Sequence, residues 1–391
     1  MLLSSLRATV RPALTNSTRA STTAPLVRLT ALSAHLQPSP FPHHLRSFAM
    51  TSQQLPTTIR AAQIQEQGDI DVIQVIDVPF SKPGPGQVAI KVEYAGVNFI
   101  DTYQRGGVYK LPMPYTLGNE SAGVVVAVGD GVDEATYGYK VGDRVAAYTA
   151  GGSFAGYVLA KADKTVKLPD NISTKTAATV LVQGLTALTF VKEAHEVKKG
   201  EYILVQAAAG GLGLLLVQLC NHFGAHVIGT TSTEEKAKLA KAAGASEVIL
   251  YSGNVDVAAE VYKITGGEGI DRGVHAVFDG VGRDTFDLDF ELVRRKGTIV
   301  TLGNASGPVA PFAPLKLGPK NLKVCRPVLN QYVHTQEEFL QYTKELFDIV
   351  ASGDLNLSLH GEYELSTEGV KQTQLDLTSR KTSGKLIIKV A

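Results

Sequence analysis

The chain has 391 residues, of which 44% are hydrophobic and 19% charged, and its formal net charge is +1. This length accommodates two domains, and the balanced charge gives no electrostatic reason to expect nucleic acid or an anionic membrane surface as a partner. The apolar runs are short and interrupted, so no transmembrane helix is predicted. The two cysteines, Cys220 and Cys325, form no CxxC pair and no Cys/His cluster, which argues against a disulfide framework and a structural zinc site.

Residues 1–50 differ in composition from the rest of the chain. Arginines are scattered among Ser, Thr, Ala and Leu, and the first acidic residue is Glu66. Apolar residues recur at helical spacing from Leu3 to Leu14, which predicts an amphipathic helix. This pattern is typical of a mitochondrial transit peptide, with a disordered leader as the alternative. Translation from Met50 would instead give a cytoplasmic form.

The segment from Thr58 to about Val158 consists of short apolar or alternating stretches separated by glycine and proline. Residues 88–94 and 124–129 are examples of the predicted strands, and residues 83–86 form one of the predicted turns. Many short strands with regular turns predict a partly closed β-barrel.

From residue 202 onward, apolar strand patterns alternate with helical patterns, which predicts a parallel, doubly wound sheet. The strands are predicted at residues 202–208, 225–229, 247–250, 274–278, 297–302 and 322–326. Helical spacing returns at residues 335–351, and a strand at residues 385–390 ends the chain. The predicted fold class is therefore α/β, with a β-rich domain and a Rossmann-type sheet.

A turn of alanine and glycine follows the first of these strands and precedes an apolar helical segment that ends near Gly224. Strand, glycine turn and helix are the context that a dinucleotide-binding fingerprint requires. Gly210 and Gly213 hold the last two positions of the G-x-G-x-x-G pattern, whereas Ala208 replaces its first glycine. The pyrophosphate would lie at the N-terminus of the helix. A plain strand-turn-helix unit is the alternative.

The second strand of the sheet ends in hydroxyl residues and lacks the carboxylate that binds the ribose 2′-OH in NAD-specific sites. Ser232 leaves room for a 2′-phosphate, Lys236 supplies positive charge, and Tyr251 can cover the same group. Glu234 and Glu235 count against this interpretation, but they lie beyond the strand tip and are expected to face solvent. The sequence therefore favours NADPH over NADH.

Five motifs now identify a family resemblance. They are Gly-Asn-Glu-Ser-Ala-Gly-Val-Val at residues 118–125, Ala-Ala-Ala-Gly-Gly-Leu-Gly at 207–213, Phe-Asp-Gly-Val-Gly-Arg-Asp-Thr at 278–285, Leu-Gly-Asn-Ala-Ser-Gly at 302–307 and Arg-Pro at 326–327. Together they resemble the NADPH:quinone oxidoreductases, the zeta-crystallin-like branch of the medium-chain dehydrogenase/reductase superfamily. The resemblance covers roughly residues 58–391.

The resemblance implies a GroES-like catalytic domain at residues 58–185 and 326–391, an NADPH-binding Rossmann domain at 186–325, and a homodimer. The positions that match the family's cofactor contacts are Asn98, Gln183, Thr186, Ala208, Gly210, Gly211, Leu212, Gly213, Ser232, Lys236, Tyr251, Leu302, Gly303, Asn304 and Arg380. Where the family often has serine, this chain has Gly280, so that contact is not carried over.

Many relatives are zinc alcohol dehydrogenases, whose catalytic cysteine would correspond to a position near Asn98 and whose His-Glu pair would correspond to Asn119-Glu120. A catalytic zinc needs three good N, S or O ligands, and these residues do not supply them. The chain is therefore expected to bind no metal, and Glu120 is expected to be structural.

Without a metal, the chemistry is expected to be that of the cofactor, with NADPH passing a hydride or electrons to a quinone or another conjugated carbonyl. Tyr103 and Asn98 are predicted to hydrogen-bond the carbonyl oxygen, where negative charge develops. Tyr103 as a pocket wall and Asn98 as a residue that holds its own loop are the alternatives. Two other functions stay open: a zinc-free enoyl or alkenal (C=C) reductase, and an NADPH-binding protein with a structural or RNA-binding role.

Overall fold

The computed structural model describes residues 55–379 and 381–391. The predicted transit peptide and the predicted cofactor contact of Arg380 lie outside the described residues.

Within the described residues the chain forms sixteen strands and ten α-helices. The strands are β1 (Thr58–Ile64), β2 (Gln74–Pro79), β3 (Gln87–Val97), β4 (Tyr115–Thr116), β5 (Glu120–Val128), β6 (Arg144–Tyr148), β7 (Tyr157–Lys161), β8 (Thr165–Lys167), β9 (Tyr202–Val205), β10 (His226–Thr231), β11 (Glu247–Leu250), β12 (Val274–Asp279), β13 (Val293–Thr301), β14 (Lys323–Cys325), β15 (Leu359–Glu364) and β16 (Lys385–Lys389).

The helices are α1 (Phe99–Arg105), α2 (Glu134–Tyr137), α3 (Thr174–Thr189), α4 (Gly211–His222), α5 (Glu234–Ala242), α6 (Val257–Thr265), α7 (Phe286–Leu292), α8 (Leu329–Tyr332), α9 (Gln336–Ser352) and α10 (Thr367–Thr378). A π-helical turn at Phe190–Ala194 continues α3, and short 3-10 helices lie at Ile70–Val72, Ala162–Lys164, Gly269–Asp271 and Pro314–Lys320. In the described part of the chain, no helix combines the length and the apolar character needed to span a membrane.

The N-terminal half is built from two mainly antiparallel sheets, as its short strands and turns predict. One sheet has the order β2-β1-β4, and the other has the order β15-β16-β3-β5-β6-β8, with β7 also paired to β3. The last strand, β16, pairs with the second half of β3, so that Leu386 lies opposite Val97. The C-terminus of the chain therefore completes the sheet that the N-terminal half begins.

The second half forms a six-stranded parallel sheet with the order β11-β10-β9-β12-β13-β14. The direction of winding reverses between β9 and β12, and in such sheets ligands bind beyond the carboxyl ends of the strands at this point. Alternate residues of β9 enter different cores, because Ile203 and Val205 pack with α3, α4 and α9, whereas Leu204 packs with α6 and α7. This double burial explains the uninterrupted apolar run in the sequence.

The predicted six strands are all present, but the first is shorter than predicted. It ends at Val205 and not at residue 208, because Ala207 takes a left-handed conformation with φ 54° and the chain turns there. The second strand is longer than predicted and continues to Thr231. The predicted helix end near Gly224 is confirmed, since α4 ends at His222 and Gly224 has φ 82°.

Helix α3 links the two halves. It packs on β3, β5 and β6 on one side and on α4 and α9 on the other. The predicted domain boundary between residues 185 and 186 falls within this helix, and the division into domains stays a prediction.

Candidate active site

A cavity of about 350 Å³ lies beyond the carboxyl ends of β9 and β12, between the parallel sheet and helix α1. Ten of the predicted site residues line this cavity. They are Asn98, Tyr103, Gln183, Thr186, Gly210, Gly211, Leu212, Gly213, Leu302 and Gly303. The fold thus brings together residues from four separate parts of the sequence at one cleft.

The glycine turn forms one wall of the cavity. Gly210 precedes α4, and the first turn of this helix carries no acidic residue, so its free N–H groups and its dipole favour an anion. A Cβ atom on Gly211 would lie 2.8 Å from Gln183 Oε1 and 2.9 Å from the Gly384 carbonyl oxygen. The turn is therefore too tight for a side chain, and its backbone can approach a pyrophosphate closely.

Ala208, which replaces the first fingerprint glycine, is fully buried and does not line the cavity. A Cβ atom on Gly229 of β10 would lie 2.7 Å from the Ala208 Cβ. The methyl group of Ala208 therefore occupies space that the neighbouring strand leaves open by having glycine at residue 229.

The three residues predicted to bind the 2′-phosphate lie together near the tip of β10, outside the cavity. Ser232 directly follows the strand, and Lys236 lies in the first turn of α5. Tyr251 follows β11, and its backbone N–H donates to the Thr231 carbonyl oxygen at 3.1 Å. Its side chain is half exposed, which leaves it able to cover a group bound at the strand tip.

Helix α3 and the loop that follows β13 form another part of the cavity wall. Gln183 and Thr186 line it from α3, and Leu302 and Gly303 line it from the loop. A Cβ atom on Gly303 would lie 2.3 Å from the Gly280 carbonyl oxygen. The loop therefore packs against the turn after β12 through direct backbone contact, with no room for a side chain at residue 303.

Tyr103 lines the cavity from α1 and contacts the loop that follows β13. Its hydroxyl oxygen accepts the backbone N–H of Asn304 at 3.1 Å, and its ring packs against Phe99 and Tyr109. Burial raises the pKa of Tyr103, opposed by the Asn304 hydrogen bond and by the Arg326 guanidinium. The phenol is therefore protonated at neutral pH, and its own O–H can donate into the cavity.

Asn98 lines the cavity with an amide group whose two ends are both engaged. Its Nδ2 donates to Glu120 Oε1 at 2.8 Å, and its Oδ1 accepts from the ammonium of Lys385 at 2.8 Å. Lys385 Nζ also lies 2.5 Å from Glu120 Oε1, and the other oxygen of Glu120 accepts the backbone N–H of Val182. Glu120 is thus structural, as the sequence predicts.

A second buried carboxyl group lies beside this pair. Asp101 accepts the backbone N–H of Asn98 and the side-chain N–H of Asn119, which in turn exchanges hydrogen bonds with Gln104. Asp101 is fully buried, and burial raises its pKa to about 7, against the effect of its hydrogen bonds and of Lys385.

Sequence reasoning missed Lys385, Arg326 and Tyr109 as site residues. Arg326 and Tyr109 line the cavity, and Arg326 Nη1 donates to the carbonyl oxygens of Thr301 and Gly303. Arg326 belongs to one of the motifs quoted above, so a signal was present. Lys385 opens an apolar strand, where a lysine normally indicates solvent, and nothing in the local sequence marks it as buried.

The cluster around Glu120 does not suit a zinc ion. Its oxygens already accept hydrogen bonds from an amide, an ammonium and a backbone N–H, and the neighbouring donor groups of Asn98 and Lys385 are not metal ligands. Throughout residues 55–379 and 381–391, no group of three or more His, Cys, Asp or Glu side chains is placed to hold a metal.

Two family models match the chain. "Alcohol dehydrogenase GroES-like domain" matches residues 84–170, and "Zinc-binding dehydrogenase" matches residues 211–347. Together with the GroES-like and Rossmann-type sheets, these matches define a medium-chain dehydrogenase/reductase and confirm the predicted fold class.

Individual relatives indicate which family within this superfamily the chain belongs to. It is 40% identical over 327 residues to a probable quinone oxidoreductase of Schizosaccharomyces pombe, covering 83% of this chain and 95% of that protein. The Escherichia coli quinone oxidoreductase solved in complex with NADPH has a TM-score of 0.79 and 35% identity, with 85% of this chain and 99% of that chain covered. A 2-haloacrylate reductase of Burkholderia sp is 35% identical over 339 residues, 84% of this chain and 98% of that protein. The chain belongs to the quinone oxidoreductase family, as the sequence motifs predict.

Proposed function

We propose that this protein uses NADPH to reduce a quinone or another conjugated carbonyl, without zinc. The observation that carries the proposal is that the Tyr103 hydroxyl and the Gly210–Gly213 turn line the same cavity. The glycine turn suits a dinucleotide, and the Tyr103 hydroxyl offers a hydrogen-bond donor beside the rings of Phe99 and Tyr109. The similarity to quinone oxidoreductases, one of them solved with NADPH, supports the same reaction.

The residues fit the cofactor at both of its anionic groups. The first turn of α4 offers backbone N–H groups to a pyrophosphate, and Ser232, Lys236 and Tyr251 surround the tip of β10, where a 2′-phosphate would lie. NADPH, when bound, supplies the hydride or the electrons. We therefore expect NADPH to be preferred over NADH.

The protein's own part in the reaction is to hold the acceptor and to stabilise charge on its oxygen. Tyr103 accepts from the Asn304 N–H, so its own proton is directed away from that bond and can be donated to the acceptor oxygen. The Arg326 guanidinium adds a fixed positive charge in the same cavity. Reduction of a quinone to a hydroquinone consumes two electrons and two protons, and Tyr103 is placed to deliver one of these protons. Donation from Asn98 to the acceptor oxygen stays a prediction. Both polar atoms of the Asn98 side chain already have hydrogen-bond partners, Glu120 and Lys385.

An acceptor screen tests the proposal. Purified protein is assayed with NADPH and with NADH against 1,4-benzoquinone, an ortho-quinone, a 2-alkenal and an enoyl thioester. We expect quinone turnover that is faster with NADPH. Turnover of the thioester or alkenal alone would replace the proposal with C=C reduction, a possibility favoured by the similarity to the 2-haloacrylate reductase. NADPH binding without turnover of any acceptor would point to a binding protein.

We also propose that the protein is a homodimer. Its support is that β14 is the last strand in the order of the parallel sheet, so one edge of this strand can pair with a second copy. Light scattering would then give twice the chain mass of 41.6 kDa. A mass equal to that of one chain would contradict the proposal.

A mitochondrial location is proposed from the sequence of residues 1–50, with a cytoplasmic form if translation starts at Met50. Fluorescent fusions of the full chain and of the chain from Met50 test it. We expect the first to enter mitochondria and the second to remain in the cytoplasm, and an identical distribution of the two would contradict the proposal.

A further inference from the structure

Lys385 is buried in the interior, with its ammonium next to two side chains. Only 2% of the lysine is exposed, and Glu120 is not exposed at all. The ammonium donates to Glu120 Oε1 at 2.5 Å and to Asn98 Oδ1 at 2.8 Å, while Asn98 Nδ2 donates to the same Glu120 oxygen at 2.8 Å. The three groups form a closed triangle of hydrogen bonds.

A buried ion pair of this kind is weak evidence for stability. The cost of removing two charges from water offsets much of their attraction, so replacement of both partners by neutral groups is often neutral or stabilising. The role of these three hydrogen bonds is therefore better sought in the side chain that they hold in place, Asn98.

The triangle holds the residue that begins the helix carrying Tyr103. Asn98 directly precedes α1, and its backbone N–H is fixed by Asp101 Oδ2 at 2.8 Å. Tyr103 lies five residues further on, and its hydroxyl must meet the Asn304 N–H across the cavity. The residue that precedes α1 is thus held twice, through its backbone by Asp101 and through its side chain by Glu120 and Lys385.

Lys385 also connects this helix to the cofactor side of the cavity. The residue before it, Gly384, lines the cavity and forms an isolated β-bridge with Gly210 of the glycine turn. The backbone of residues 384–385 thus contacts the dinucleotide turn, while the Lys385 side chain contacts the amide that precedes α1.

We propose that Lys385 is a positioning residue: its ammonium fixes the Asn98 amide on Glu120 and thereby sets the position of Tyr103 relative to the glycine turn. The inference rests on the proposed function, since the consequence of this positioning is efficient reduction of the acceptor.

The test uses the full chain in four forms: wild type, Lys385→Met, Lys385→Met with Glu120→Gln, and Lys389→Met as the control. Lys389 lies on the same strand and is only partly buried. The double variant removes both charges together, so it avoids leaving an unpaired buried carboxylate. Each form is measured for urea stability, NADPH affinity, and kcat and KM with 1,4-benzoquinone. Hydrogen exchange of the Asn98 side-chain N–H is followed by NMR on asparagine-labelled protein.

We expect the double variant to fold and to bind NADPH like the wild type. Its kcat should be lowered about 10- to 100-fold, because misplacing a catalytic group by about 1 Å can slow a reaction by this much. Its Asn98 amide should exchange faster, and Lys389→Met should resemble the wild type in every measurement. A folded double variant with wild-type kcat and a protected Asn98 amide would overturn the inference and leave Lys385 a purely structural residue.

If the double variant does not fold, Lys385→Arg takes its place, since it keeps the charge but displaces it on a longer, planar group. Lowered kcat with a shifted Asn98 amide signal and unchanged NADPH affinity would support the inference, and a shifted signal with wild-type kcat would overturn it. Failure of the proposed function is seen separately, as the absence of quinone turnover in the wild type. The Asn98 amide exchange would then still decide whether Lys385 holds that side chain.

Discussion

The hydroxyl oxygen of Tyr103 lies 3.1 Å from the backbone nitrogen of Asn304, which donates to it. This hydrogen bond joins α1 of the antiparallel sheet region to the loop after β13 of the parallel sheet. Because the bond uses a lone pair of the oxygen and not its proton, the phenol is both located by the protein and able to donate. The contact thus defines the end of the cavity where an acceptor oxygen would be held.

Replacement of Tyr103 by phenylalanine should lower kcat/KM for a quinone by about 100-fold, the effect typical of removing one donor to a developing oxyanion. NADPH affinity should change little, because the ring and its contacts with Phe99 and Tyr109 remain. Steady-state kinetics and NADPH fluorescence titration measure the two effects.

The control for this variant is Tyr262→Phe, which removes a hydroxyl that donates to the Glu291 carbonyl oxygen on α7, away from the cavity. It should leave both quantities unchanged. If Tyr103→Phe retains wild-type kcat/KM, the tyrosine is only a wall of the cavity.

A carboxylate at the tip of β10 should shift the cofactor preference toward NADH. Ser232→Asp would accept hydrogen bonds from a ribose 2′-OH and repel a 2′-phosphate. We expect the ratio of kcat/KM with NADPH to that with NADH to fall at least about tenfold, which corresponds to roughly 1.4 kcal/mol. Glu234→Gln, on the exposed first turn of α5, is the control. An unchanged ratio in the Ser232→Asp variant would mean that the 2′-phosphate binds elsewhere.

Asp101 should make folding stability depend on pH. Burial raises its pKa from 3.8 to about 7, so between these values the folded protein binds a proton that the unfolded chain lacks. Stability from this group therefore falls as pH rises from about 4 to about 7, with a slope of up to about 1.4 kcal/mol per pH unit. The Asp101→Asn variant lacks this slope.

Urea unfolding of wild type and Asp101→Asn at pH 5, 6, 7 and 8 tests this assignment. The variant loses hydrogen bonds and should be the less stable protein at pH 5, but the difference in unfolding free energy should shrink toward pH 7 and then remain constant. A difference that is independent of pH would show that Asp101 is already ionised at pH 5, and a difference that grows with pH would contradict the raised pKa.

The parts of the site that could be predicted from the sequence are local in the chain. Gly210 and Gly213 belong to one strand-turn-helix unit, and the absence of a carboxylate after β10 can be read from a few consecutive residues. The family resemblance adds Gln183, Thr186, Leu302 and Gly303, all of which line the cavity.

The parts that could not be predicted depend on contacts between distant residues. Lys385 and Glu120 are 265 positions apart, and Tyr103 and Asn304 are 201 apart. Lys385 meets Glu120 because β16 joins the sheet of the N-terminal half. Tyr103 meets Asn304 because α1 and the loop after β13 lie side by side at the cavity. Local patterns instead predict an exposed lysine at the start of a strand. The predicted role of Asn98 as a donor also took no account of the two partners that hold its amide.

The missing fingerprint glycine has a physical explanation that can be tested. Ala208 packs over Gly229, and a Cβ atom on Gly229 would lie 2.7 Å from the Ala208 Cβ, a distance at which either β10 or the turn after β9 must move. Gly229→Ala should therefore lower the unfolding free energy by about 1–3 kcal/mol, as overpacking of a core does. Ala208→Gly should restore much of this loss in the double variant, because it reopens the same space.

The four proteins of this cycle are compared by urea unfolding, with NADPH affinity as a second measurement. Ala208→Gly alone should cost stability, since it leaves a small cavity and adds backbone freedom. The effects of the two substitutions should therefore not add, because Ala208→Gly should be destabilising on its own but stabilising in the Gly229→Ala background. Additive effects would mean that the two positions do not compete for space. In that case the alanine at position 208 would need an explanation other than the glycine on the neighbouring strand.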